Sequence, residues 1–310
     1  VAEATTRVSA APFDAVILAT HGRHCLLRPL EHTHAPPQLA TRRGKRGDLV
    51  VGDHVRCTPS GEDAVVEAVL PRRSLLYRAD TWRTKELAAN VDLVVVVFAP
   101  QPVFNRWFIW RALVAARCAE LDCLVVLNKT DLCAGSADPA DITRGQLEQL
   151  GYATEALAAR TQPAGTRERL LARLAGRVTL LIGQSGMGKS TLLNLLVPSA
   201  QAATREFSAR LNLGKQTTTT TRWFDLPEPA GGALIDSPGF QEFGLAHLTR
   251  ERMAAALPEF QPHLGHCRFA DCRHLEEPGC AIRAAVDQGE IDPDRHAFYR
   301  ALVPEATATS

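Results

Sequence analysis

Apolar positions in the first quarter of the chain come in short runs: Ala15 to Leu18, Cys25 to Leu27, Leu49 to Val51, His54 to Cys57 and Ala64 to Leu70. Gly, Pro and charged residues separate them. Runs this short and this closely spaced predict the strands of a small all-β barrel. The pattern then changes. Residues 86–99 read as a helix end followed by Val91 to Phe98, apolar throughout except for Asp92, a run of the kind a parallel strand needs when both its faces are covered. Trp107 to Leu121 predicts a largely apolar helix, and Cys123 to Leu127 the next strand. Ala134 to Pro139 is a loop. Leu147 to Tyr152 and Arg167 to Leu174 lead on to a further strand, Val178 to Ile182. Strands alternating with helices predict an open α/β sheet, whose ligands sit at the carboxyl ends of the strands. Beyond residue 245 the pattern is helical, with Ala281 to Gln288 stopped by Gly289, then Pro293 to Leu302, interrupted by one Cys-rich knuckle.

At 310 residues, two or three domains are expected. The formal charge is only +1, so composition carries no nucleic-acid signal by itself. No apolar run approaches membrane-spanning length, and Val1-Ala2-Glu3-Ala4 does not begin a secretory pattern, which fits a cytoplasmic protein. Eight cysteines are then expected as free thiols or metal ligands. Cys25, Cys57, Cys118, Cys123 and Cys133 are scattered among apolar neighbours. Cys267, Cys272, His274 and Cys280 instead form Cys-x4-Cys-x-His-x5-Cys, three thiols and one imidazole. That is a closed tetrahedral donor set for one structural zinc, with no open position for catalysis. His263 and His266 lie just upstream and read as exposed.

Gly183-Gln184-Ser185-Gly186-Met187-Gly188-Lys189-Ser190 is a phosphate-binding loop directly after an apolar strand. Its glycines let backbone N–H groups turn towards phosphates. Lys189 supplies a point charge, Ser190 a hydroxyl for Mg²⁺, and the helix opening at Thr191 a positive dipole end. About fifty residues earlier, Asn128-Lys129-Thr130-Asp131 has the Asn-Lys-x-Asp form that reads guanine, with the Asp131 carboxylate accepting from the ring N–H and the 2-amino group. Adenine would leave that carboxylate unpaired. GTPases ordinarily carry these motifs in the opposite order. Asp236-Ser237-Pro238-Gly239 ends another apolar strand; Asp236 is expected to hold Mg²⁺ through water and Gly239 to meet the γ-phosphate. Between them, Thr217 and Thr218 are the candidate Mg²⁺-capping threonines. Ala158 and Ala159 stand where a base-packing loop belongs. Residues 1–85 are mildly basic, and Arg42, Arg43, Lys45 and Arg46 cluster in one expected loop, suited to RNA backbone contact.

These motifs, with the tail Phe269 to Cys280, resemble the circularly permuted, ribosome small-subunit-dependent GTPases of the RsgA type, over nearly the whole chain. The resemblance implies an N-terminal OB-fold (1–83), a central permuted GTPase domain (84–244) and a mostly helical zinc domain (245–310). It implies GTP hydrolysis with Mg²⁺, slow alone and stimulated by the 30S subunit late in its maturation. Partners would be the 30S particle, 16S rRNA and GTP or GDP, with no membrane and a monomeric protein. The chain departs from the pattern at one point. Many GTPases place a water-orienting Gln after Asp-x-x-Gly, where this chain has Phe240, and the family's switch-loop His is replaced by Gln216. Gln216 is therefore the candidate water-positioning residue. Two other readings stay open: a permuted GTPase serving another RNA or a translation factor, and a nucleotide-sensing RNA-binding adaptor that does not hydrolyse.

Overall fold

Five strands open the chain: β1 (Phe13–His21), β2 (His24–Pro29), β3 (Gln38–Arg42), β4 (His54–Ser60) and β5 (Asp63–Val69). They close into a barrel because β4 pairs with both β5 and β1. The computed structural model describes residues 11–33, 35–43, 49–80, 83–135, 137–201, 204, 221–237 and 243–305. The barrel interior is filled by small and branched side chains, among them Ala15, Ile17, Leu27, Val55 and Val66. Val16, Leu18 and Leu26 pack on the other face, beside Trp223. Both faces of β1 and β2 are thus covered, which is why those strands read as unbroken apolar runs rather than alternating ones.

The hairpin β6 (Leu75–Asp80) and β7 (Arg83–Ala89) follows as a separate two-stranded sheet. A parallel sheet comes next, with strand order β10 (Ala153–Ala156), β9 (Asp122–Leu127), β8 (Leu93–Phe98), β11 (Val178–Ile182), β13 (Ala233–Asp236) and β12 (Arg222–Asp225). Only β12 runs antiparallel to its neighbour. Every residue of β8 is buried, and at about 1.5–3 kcal/mol for each large apolar side chain this strand anchors the domain. Helices α1 (Arg106–Cys118), α2 (Pro139–Gln149), α3 (Pro163–Leu174) and α4 (Lys189–Leu196) belong to this unit. Asn105 caps α1 by accepting from the Trp107 N–H at 2.9 Å, and Asp138 caps α2 through the Ala140 N–H at 2.8 Å. The remainder is α5 (Arg250–Ala255), the Cys-rich knuckle, α6 (Ala281–Asp287) and α7 (Pro293–Leu302). Among the described residues no helix is long and apolar enough to cross a membrane.

Two expectations change. The third barrel strand is Gln38–Arg42 and not Leu49–Val51, whose Val51 makes a single bridge to Ala88. Arg42 therefore ends a strand instead of lying in a loop. Residues 86–89 finish the hairpin strand β7 and are not a helix end; their ladder to β6 supplies backbone partners that local propensity does not reveal.

Barrel and sheet are joined by specific bonds. Ala19 of β1 pairs with Arg222 of β12 after a register shift at Ile17/Ala19 that bends β1. Arg28 forks onto Asp225, both bonds 2.5 Å. Asp53, wholly buried, accepts from the Val50 N–H at 2.9 Å and from Arg72 at 2.6 and 2.9 Å, and Arg72 also reaches Glu86 of the hairpin at 2.8 Å. The preceding Gly52 has φ +90°, and a Cβ there would lie 2.1 Å from the Ala89 carbonyl oxygen, so only glycine lets the two segments touch. Removing the Asp53 carboxylate takes two bonds from Arg72, which keeps Glu86, and leaves the buried Val50 N–H without its acceptor. Asp53→Ala is expected to lower stability by about 3 kcal/mol, read as an earlier denaturation midpoint; an unchanged midpoint would contradict this role.

Candidate functional site: a nucleotide cradle and a thiol-imidazole knuckle

The loops at the carboxyl ends of β9, β10 and β11 meet at one side chain. Asn128, 1% exposed, follows β9. Its Nδ2 donates to the Met187 carbonyl of the phosphate loop at 3.1 Å, and its Oδ1 accepts from the Ala159 N–H at 3.3 Å. One amide thus ties the Asn-Lys-x-Asp segment to the phosphate loop and to the Ala158-Ala159 loop. Lys129, in the left-handed region at φ 59°, lays its ammonium on the carbonyls of Gln101 at 2.8 Å and Gly186 at 2.6 Å. The Thr130 N–H donates to the Leu157 carbonyl at 3.0 Å. Asp131 stands exposed in the middle of a short 3-10 turn, Thr130–Leu132.

The phosphate loop runs from Gly183 into α4. Gly188 caps the helix at φ +98°, and a Cβ on it would lie 2.3 Å from Asn128 Nδ2, so the close packing of the two motifs requires glycine. Met187 is buried beneath the loop, while Ser185, Gly186, Ser190 and Thr191 face outward. The Lys189 ammonium lies across its own loop, donating to the carbonyls of Gly183 and of Gln184, the latter at 3.1 Å. Gln184 Oε1 accepts from the Asn105 N–H at 2.7 Å, fixing the loop to the start of α1.

Asp236 ends β13 alongside. Burial pushes its carboxyl up to about 6, against the opposing pull of Lys189 and Arg222. Burial also lowers Lys189, with Asp236 opposing. A raised carboxyl and a lowered ammonium that act on each other in this way are suited to a divalent cation and a phosphate chain. Arg222 went unnoticed in the sequence. It is buried, is in register with Asp236 across the β12–β13 pair, and donates to the Thr204 carbonyl at 3.2 Å. Its only sequence signal is a charged residue directly after a threonine run. Gln216, Thr217, Thr218 and Gly239 lie outside the described residues, as do Lys45 and Arg46. Arg43 is described and meets Glu67 at 3.2 Å.

Far along the chain, Cys267, Cys272, His274 and Cys280 bring their ligand atoms within 4.8 Å of one another. Cys267 Sγ and Cys280 Sγ are 3.9 Å apart, and His274 Nδ1 lies 3.4 and 3.6 Å from them. A tetrahedral zinc with ordinary bond lengths requires edges of about 3.5–3.8 Å, so the four groups can hold that ion. Burial lowers the His274 imidazole, keeping it in its neutral, ligating form, while Glu277 opposes. Burial pushes the Cys272 thiol up to about 12, a cost that a divalent cation reverses. The Ala281 N–H donates to Cys267 Sγ at 3.4 Å, and His296 Nε2 donates to the His274 carbonyl at 2.7 Å, orienting the knuckle from α7.

Because Asn128 satisfies two loops at once, truncating it orphans the buried Met187 carbonyl and the Ala159 N–H. Asn128→Ala is expected to cost about 2 kcal/mol of nucleotide affinity, equally for the diphosphate and triphosphate of guanosine. Titration calorimetry checks this; a loss confined to one of the two would contradict a purely structural bridge.

The chain was compared with known proteins. Residues 69–246 match the family described as RsgA GTPase. The Small ribosomal subunit biogenesis GTPase RsgA of Bordetella pertussis (strain Tohama I) is 49% identical over 95% of this chain and 97% of its own. The protein of that name from Paraburkholderia xenovorans (strain LB400) is 50% identical over 94% and 93%. Among solved structures, YjeQ from Thermotoga maritima superposes with a TM-score of 0.68 at 28% identity, covering 95% of this chain and 98% of that one. YloQ, described as a circularly permuted GTPase, gives 0.69 at 21% identity over 97% of each chain, a likeness of fold. With the reversed motif order, the closed barrel and the Cys3His knuckle, these matches establish that the chain belongs to the RsgA GTPase family.

Proposed function

We propose that this protein is a GTP hydrolase of small ribosomal subunit biogenesis. It binds the 30S particle, contacts 16S rRNA, and couples hydrolysis of GTP to GDP and phosphate to its own release. The observation that carries this reading is the Asn128 bridge, which unites a guanine-reading segment with a phosphate loop lying later in the chain. In this reading Asp131 accepts from guanine, with Ala158 and Ala159 beside the base. The backbone of residues 183–191 and Lys189 hold the phosphates. Ser190, Asp236 and either Thr217 or Thr218 hold Mg²⁺, Gly239 meets the γ-phosphate, and Gln216 orients the attacking water. The Cys3His knuckle takes one structural Zn²⁺. The barrel meets RNA backbone near Arg42, Arg43, Lys45 and Arg46. The working form is a cytoplasmic monomer with units at 1–83, 84–244 and 245–310.

The permuted order gives the γ-phosphate a short route to the C-terminal unit. Phe243, the first described residue after the Asp-x-x-Gly loop, accepts through its carbonyl from Arg111 Nε at 2.6 Å, and the same guanidinium forks onto Glu305, one bond 2.8 Å. Arg111 is buried, so its position follows both partners closely. A loop ordered by GTP therefore pulls on groups that also hold the C-terminal end. The GTP form is expected to bind the small subunit tightly and the GDP form to leave.

Turnover is expected to be slow alone and to rise on the order of a hundredfold or more with purified small subunits. Multiple-turnover phosphate release measures it, and large subunits serve as the control. Stimulation by large subunits only, or by neither, would favour the alternatives of another RNA partner or a non-hydrolysing adaptor. Gln216→Ala is expected to keep GTP affinity and lose the stimulated rate; an unchanged rate removes Gln216 from the mechanism.

A second outcome concerns pH. Asp236 must lose its proton to meet Mg²⁺, and burial places that loss at about 6. The carboxylate is ready at pH 7 and protonated at pH 5. The Mg²⁺-dependent gain in GTP affinity should fall as pH drops through this window, approaching about tenfold per pH unit below it. Asp236→Asn should flatten this response relative to the parent; an identical slope in both proteins would show that Asp236 does not meet the ion.

A further inference from the structure

The barrel and the GTPase sheet meet through one short strand. β12 pairs with β1 of the barrel on one edge and with β13 on the other. Successive residues of a strand face opposite ways, and β12 uses both faces. Trp223 packs against Val16, Leu18 and Leu26 on the outside of the barrel, and Asp225 takes the Arg28 fork. Phe224, facing away from them, is buried in the core that also holds β8, β11 and β13. Arg222 shares that face; it is buried, and its Nη1 donates to the Thr204 carbonyl at 3.2 Å.

The two edges of β12 are held unequally. Towards β13 all four residues are in register, with Arg222 opposite Asp236. Asp236 is itself in register with Leu181 of β11, the strand that leads into the phosphate loop. Towards the barrel, among the described residues, one pair is in register, Ala19 with Arg222. Side chains therefore decide how the barrel sits on β12. Asp225 accepts both Arg28 bonds and a third from Trp223 Nε1 at 2.9 Å. A two-pronged guanidinium–carboxylate pair fixes angle as well as distance, and the Arg28 side chain, 9% exposed, has little water to replace it. β12 and β13 move as one ladder, so a tilt of the barrel that Asp225 follows reaches Asp236. Resting on the reading of the chain as a GTPase stimulated by the small subunit, we propose that Arg28 and Asp225 are a positioning pair for hydrolysis. When the barrel engages the particle, their fork carries the displacement through β12 to Asp236.

The test is multiple-turnover phosphate release by the full chain at rising concentrations of purified small subunits. Asp225→Ala removes the acceptor, Arg28→Met removes the charge but keeps a stem that packs, and Asp225→Glu keeps the fork. With Asp225→Ala and Arg28→Met the maximal stimulated kcat should fall about tenfold or more. The KM for GTP, the half-saturating subunit concentration and the turnover without subunits should stay within about threefold of the parent. Asp225→Glu should restore most of the stimulated rate. A role in folding alone would lower the rates with and without subunits together. A role in docking alone would raise the half-saturating concentration and spare the maximal rate. Either result overturns the proposal, as does an Asp225→Glu rate as low as that of Asp225→Ala. A parent that small subunits fail to stimulate overturns the functional reading and this inference together; a stimulated parent with equally stimulated variants overturns the inference alone.

Discussion

A nucleotide has two ends, and a protein that reads both must hold two loops at a fixed separation; here the task falls to the buried amide of Asn128. Its Nδ2 holds the phosphate loop through Met187, and its Oδ1 holds the Ala158-Ala159 loop. Lys129 adds two bonds across the same seam, to Gln101 and Gly186. Chain order does not enter these contacts. The Asn-Lys-x-Asp segment can precede the phosphate loop because β9 and β11 both flank β8 in one parallel sheet, and their carboxyl ends open on the same edge. Permutation changes which loops connect to which neighbours, while these contacts depend only on where the strands end.

What permutation does change is the surroundings. The barrel now precedes the sheet, and the Asp-x-x-Gly strand leads directly towards the C-terminal helices. The joints on either side are polar, each with one buried partner. Asp53 and Arg72 lock the barrel to the hairpin, Arg28 and Asp225 lock it to β12, and Arg111 links Phe243 to Glu305. Directional bonds of this kind hold one arrangement and are lost together when one partner moves. That property suits a protein whose nucleotide state has to be felt at a distance, where a purely apolar contact would tolerate sliding.

Much of this was legible in the sequence, for reasons that differ by element. The apolar runs at Leu93 to Phe98, Cys123 to Leu127 and Val178 to Ile182 are legible as strands because burial on both faces leaves Thr179 as the one polar residue among them. The phosphate loop and the knuckle were legible because their chemistry sits within one short stretch. Strand β3 was not: only Ala40 of its five residues is buried, so Gln38-Leu39-Ala40-Thr41-Arg42 carries almost no apolar signal. Leu49 to Val51 misled for the converse reason, being apolar yet held mainly by the Asp53 turn. The hairpin strand Arg83–Ala89 is rich in polar residues, and its pairing with β6 is what makes it a strand. Contacts that join distant positions, such as Asn105 to Gln184 or Arg222 to Thr204, leave no local trace at all.

The central claim is that Asp131 and Lys189, brought together by the Asn128 seam, address the two ends of one guanine nucleotide. Exchanging Asp131 for Asn turns one of the two carboxylate acceptors into a donor, which suits the 2-oxo group of xanthine. Calorimetry of the parent and Asp131→Asn with GTP, XTP and ATP, in the presence of Mg²⁺, tests this directly. The account predicts strong GTP preference in the parent and a crossover to XTP in the variant, with ATP weak in both. Equal binding of ATP and GTP by the parent, or a variant that keeps its preference for GTP, would contradict it.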